Sequence, residues 1–156
     1  MGISGVSSGS MYAGPTNLYV SRYVDQLNQQ FRNVKIRSGN SAYGKKFDFL
    51  ISSEYLQKTA GDPAAATLLE ERISELTYDK KYLNDRLAQK GYDIEVESFV
   101  IKKDGTVFCK GKDKRGDGER SFDVSLGKLD DQNFNLTKNL MRHFGIPAYR
   151  ILEDKA

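Results

Sequence analysis

At 156 residues the chain is long enough for one domain with a substantial core. Hydrophobic residues make up 38% and charged residues 29%, and the net charge of +3 is too small to imply a nucleic-acid partner by itself. The single cysteine, Cys109, excludes an intramolecular disulfide and with it a stapled secreted scaffold.

No apolar run approaches the roughly 18 residues of a membrane span. The N-terminus also lacks a basic segment followed by an apolar core, so a cytoplasmic location and no membrane partner are expected. Residues 1–17 read as a disordered tail rich in glycine and serine (Gly2, Ser4, Gly5, Ser7, Ser8, Gly9, Ser10, Gly14), with too little apolar surface to offset the entropy of ordering. Met1-Gly2 opens like an N-myristoylation signal, but Val6 stands where that motif needs Ser or Thr.

Residues 18–156 are expected to form a single α+β domain. Thr16 or Asn17 is placed to cap a first helix over 18–31, with Tyr23, Leu27 and Phe31 on its apolar line. Val34-Lys35-Ile36 reads as a short strand, and Phe47 to Ile51 as a second. Ser52 or Ser53 caps a short helix ending at Gly61. Asp62-Pro63 then opens a long helix to about Lys90. Its apolar positions Ala66, Leu69, Ile73, Leu76, Leu83 and Leu87 follow spacings of three and four, with Lys80 in the same line, and Gly91 closes it. Ile94 to Ile101 and Thr106 to Cys109 read as strands joined by the Asp104-Gly105 turn. Residues 111–118 read as a polar loop, followed by a strand through Phe122, Val124 and Leu126. A last helix is expected from Asp130 or Asp131 to Phe144, with Tyr149 and Ile151 adding a strand. The order implies a mostly antiparallel sheet backed by helices.

The spacing of the long helix fits two arrangements. It makes either a seam for a partner or a second copy, with Leu76, Lys80 and Leu83 at the contact, or a cover for the chain's own sheet. The basic residues Lys110, Lys112, Lys114 and Arg115 offer an alternative, contact with nucleic acid or phosphate, opposed by the interleaved acids Asp113, Asp117 and Glu119. Arg115-Gly116-Asp117 matches an integrin-type tripeptide, a motif of three residues with a high false-positive rate. The glycines of 111–118 lack the Gly-Lys-Ser/Thr ending of a phosphate-binding loop.

No catalytic residue, cofactor-binding residue or metal ligand set stands out. His143, the one histidine, suits a helix C-terminus. Glu70-Glu71 and Asp130-Asp131 suit helix starts, although a hydrolase or transferase working through carboxylates alone is a third reading. The leading expectation is a non-catalytic protein-interaction or accessory module, acting through the long helix on a protein partner or on itself.

The stretch from Ile51 to Ala66, with Glu70 or Glu71 and Ile73 behind it, resembles uncharacterised proteins of Gram-positive, clostridia-like bacteria. Those proteins carry an Ile-Ser-x-x-Tyr/Phe-Leu-x-Lys-x-Ala-x-Asp-Pro pattern before a long helix. Ile101-Lys102-Lys103-Asp104-Gly105-Thr106-Val107 and the Gly/Ser/Tyr-rich start fit the same resemblance. It implies a bacterial origin and transfers no activity and no site residues.

Overall fold

The computed structural model describes residues 15–41, 44 and 46–152. Most of the expected tail lies outside them, but Pro15 already begins helix α1, Pro15–Gln30. Strands β1 (Ile36–Ser38) and β2 (Phe49–Ile51) follow, then helices α2 (Ser53–Ala60) and α3 (Pro63–Gln89). Three longer strands come next, β3 (Ile94–Ile101), β4 (Thr106–Asp113) and β5 (Arg120–Lys128), and the chain closes with α4 (Leu136–Phe144) and α5 (Ala148–Leu152).

The long helix has its ends where the sequence puts them, and the cause is local. The Asp62 carboxylate accepts from the N–H groups of Ala64 at 3.1 Å and Ala65 at 3.3 Å, and Pro63 fills the first helical position. At the other end Gly91 adopts φ 83°, which lets its N–H reach the Ala88 carbonyl and the Tyr92 N–H reach that of Leu87. This pair of bonds satisfies the last carbonyls of the helix.

The five strands form one sheet in the order β1-β2-β3-β4-β5. The sheet is mixed rather than mostly antiparallel: β1 with β2 and β2 with β3 are parallel, and β3-β4-β5 is an antiparallel meander. The α2–α3 pair forces the β2–β3 orientation, because a chain that crosses over through helices returns to start its next strand at the same end. The polar loop expected over 111–118 is shorter, since β4 continues to Asp113. Gly111 explains this. A Cβ there would collide with the Glu95 carbonyl oxygen and the Phe122 ring, so only glycine lets β4 run flat between its neighbours.

The last helix starts later than Asp130 or Asp131 would place it. Asp131 spends its side chain on a turn, accepting the Asn133 N–H at 2.8 Å, and Asn135 is the cap, accepting the Lys138 N–H at 2.8 Å. Arg72 of α3 holds this turn. It donates to the carbonyls of Leu129 at 2.8 Å and Asp131 at 3.3 Å, and its guanidinium lies 4.8 Å from the centre of the Phe134 ring. The expected final strand at Tyr149 and Ile151 is instead α5: Arg150 N–H bonds Pro147 O, and Ile151 is buried while Tyr149 is exposed.

One face of the sheet carries the core. Ile36, Phe49, Phe99, Cys109 and Val124 form a row across all five strands, covered by Leu27 of α1, Leu56 of α2, Leu69, Ile73, Leu76, Leu83 and Leu87 of α3, and Leu140 of α4. Asparagines on the helices guard the exposed strand backbone. Asn28 of α1 exchanges two bonds of 2.9 Å with the N–H and C=O of Ile36, on the outer edge of β1. Asn84 of α3 does the same for Val96, at 2.8 and 2.9 Å, where β3 extends past the end of β2. In both places a carboxamide stands in for the missing neighbouring strand.

Candidate functional site

The three residues expected at a helix seam face inward. Leu76 and Leu83 are buried in the chain's own core, so α3 uses its apolar line to cover its own sheet. Lys80, between them, points its ammonium at the sheet, donating to the Glu97 carbonyl in the middle of β3 at 2.9 Å and meeting Asp48, just before β2, at 3.3 Å. Heptad-like spacing cannot distinguish a helix on a sheet from a helix in a seam, because both need one apolar stripe.

The basic stretch is largely neutralised in place. Lys110 pairs with Asp123 at 3.1 Å, Lys112 with Glu119 at 2.9 Å, and Arg115 with Asp113 at 3.0 Å. Lys114 is exposed and its backbone N–H bonds Asp93 O. The Arg115 guanidinium forks onto both oxygens of Asp113 and lies 5.1 Å from the centre of the Phe144 ring, so the arginine of the Arg-Gly-Asp tripeptide is folded back onto the protein. This fork, with the Arg115 N–H, holds the Asp113 carboxyl below its ordinary pKa.

Cys109 lies in the core row, and burial pushes its thiol up to about 12, away from the range of a nucleophile. His143 is exposed on the last turn of α4, its ring edge-on to Phe144. Glu70 accepts from Gln30 at 3.3 Å, an α1–α3 contact. Among the described residues no three His, Cys, Asp or Glu side chains converge as metal ligands.

The surface that stands out is the outward side of α3 near α5. Tyr78 and Tyr82, one helical turn apart, stack with ring centres 6.2 Å apart and planes 11° from parallel. The Arg86 guanidinium lies 5.8 Å from the centre of the Tyr82 ring and donates through Nε to the Ile151 carbonyl at 2.7 Å, so one side chain joins the tyrosine stack to α5. Tyr149 and Leu152 project from α5. The exposures are 68% for Tyr78, 62% for Tyr149 and 43% for Leu152, three of the five large apolar side chains left open to solvent among the described residues. The other two, Leu18 and Tyr19, lie at the start of α1. Asp79, next to Tyr78 in the chain, has its carboxyl pushed upward by burial and secondly by the charge of Glu75.

Sequence reasoning passed over these tyrosines because they sit off the apolar line of α3. Their i, i+4 spacing on the polar side was the available signal.

No family model, no curated protein and no solved structure matches the chain. No helix among the described residues is long and apolar enough to cross a membrane.

Proposed function

We propose that this is a non-catalytic protein-interaction domain whose contact surface is the tyrosine ridge of α3 and α5. The carrying observation is the exposure of Tyr78 on α3 and of Tyr149 and Leu152 on α5, two helices that the Arg86 side chain joins through Tyr82 and the Ile151 carbonyl. Tyrosine is favoured at protein contacts because it offers a large apolar area with a polar tip and loses little rotamer freedom. The ridge replaces the inward line of Leu76, Lys80 and Leu83 as the binding face, and it keeps the contact on the long helix. The inert thiol of Cys109 and the paired state of the basic residues support this reading over a nucleophilic enzyme or a nucleic-acid binder. A bacterial setting accords with the resemblance carried by residues 51–66 and 101–107.

The test is capture from nuclease-treated bacterial lysate with the native protein and with a Tyr78→Ser/Tyr149→Ser variant of unchanged circular dichroism. The reading expects a defined protein held by the native chain and lost by the variant. Capture that is equal for both, or that disappears with nuclease, overturns it.

A further inference from the structure

Asparagines cap the backbone of β1 and β3 where no strand lies alongside, but β5 is treated differently. It is the other outer edge of the sheet and, at nine residues, the longest strand. Asn139 of α4 holds only the Leu126 carbonyl, at 3.0 Å. In an antiparallel ladder alternate residues turn both backbone groups to the same side. Leu126 is the extra residue of a bulge, and beyond it Val124 and Phe122 turn their backbone groups to Cys109 and Gly111 of β4, so the N–H and C=O of Ser121 and Asp123 are the ones set outward. No described residue outside the β4–β5 ladder hydrogen-bonds to those groups.

Beside this edge runs a cleft of about 650 Å³, with Ser125, Leu126 and Gly127 on the strand side and Lys138, Asn139 and Arg142 of α4 on the other. Lys138 and Arg142 are exposed, one helical turn apart, and neither is in an ion pair among the described residues. The acid in the cleft, Asp131, is committed to the Asn133 N–H. An open strand edge thus faces a helix wall that bears two unengaged cations.

We infer that the β5–α4 groove binds an extended acidic peptide segment of a partner protein, which adds to the sheet as a sixth strand. The peptide backbone bonds the outward groups of Ser121 and Asp123, and an acidic side chain or terminal carboxylate lies against Lys138 and Arg142. Charge selects this occupant over a second copy of the chain. Two β5 strands paired antiparallel about Val124 would set Arg120 opposite Lys128 at both ends, and like charges directly opposed destabilise a strand pair. The inference shares the protein-interaction reading but uses a surface separate from the tyrosine ridge, so either can fail alone.

The experiment selects displayed random twelve-residue peptides on the full-length protein and measures the best synthetic peptide by fluorescence anisotropy. The expected ligands are acidic peptides with alternating β-branched residues. Binding should weaken roughly ten-fold or more in a Lys138→Glu/Arg142→Glu variant, vanish when alternate peptide nitrogens are methylated, and persist in Tyr78→Ser/Tyr149→Ser. Bound peptide should also slow exchange of the Ser121 and Asp123 amides. Overturning results are the absence of any selected peptide, affinity unchanged by charge reversal or by N-methylation, or sedimentation showing that the native chain dimerises through β5.

Discussion

Replacing Asn84 by alanine should cost far more than an asparagine on the polar side of a helix ordinarily does. Its carboxamide makes two short bonds to one residue of β3, accepting the Val96 N–H at 2.8 Å and donating to the Val96 C=O at 2.9 Å. A bond of this kind is worth about 0.5–1.5 kcal/mol net. Val96 is only 1% exposed, so water cannot readily replace the lost partner, and the cost moves toward the upper end. The expected loss is about 2–3 kcal/mol for Asn84→Ala, against less than about 0.5 kcal/mol for Asn33→Ala at an exposed position.

Asn84→Asp adds a sign test. The introduced carboxyl still accepts from Val96 N–H, but when ionised it sets negative charge against the Val96 carbonyl. Its protonated form, which can donate, is favoured in the folded state, so its folded pKa lies above the unfolded value of about 3.9. The deficit relative to native should be smallest below that value and grow as pH rises through the folded pKa. Urea unfolding followed by far-ultraviolet circular dichroism reads both effects as a shifted midpoint at unchanged slope. An Asn84→Ala loss no larger than that of Asn33→Ala would refute the reasoning.

Three further outcomes are expected. Leu83→Ala should lower stability by about 2–5 kcal/mol without changing the sedimentation coefficient of the folded protein, since Leu83 packs against the chain's own core; a shift in association with unchanged stability would restore the seam reading. Cys109 should resist a thiol reagent until the protein unfolds, because a pKa of about 12 leaves roughly one thiolate in ten thousand at pH 8; rapid stoichiometric labelling in native buffer would contradict its burial. Asp113→Asn should lower the urea midpoint at pH 7. The native carboxyl has a depressed folded pKa, so its contribution is present above the unfolded value and lost as pH falls through the folded one. The two proteins should therefore converge once pH has fallen below the folded pKa, and a gap that widens with acid would reverse the assignment.

The helices were legible where a single residue type does a local job. Asp62, Pro63 and Gly91 bound α3 because capping and positive φ act within a few residues of the chain. The mixed sheet was not legible, because alternation in β2 and β3 reports which face is buried and says nothing of strand direction. The helix between them carried that information. The start of α4 was misread because Asp130, Asp131 and Asn135 can each begin a helix, and the Arg72 contacts that fix the turn come from far away in the chain. The edge-capping roles of Asn28 and Asn84 and the fork between Arg115 and Asp113 are likewise tertiary events. The candidate site shifted for the same reason: once α3 lies on the sheet, Leu76, Lys80 and Leu83 turn inward and Tyr78 turns out.

The most direct measurement of the central claim is photo-crosslinking in bacterial cells. A benzophenone amino acid is placed at Tyr78 in one variant and at Glu95, an exposed strand position, in another. The account predicts one defined protein adduct from the Tyr78 position and none of that mass from the Glu95 position. Adducts that are the same from both positions, or found only at Glu95, would contradict it.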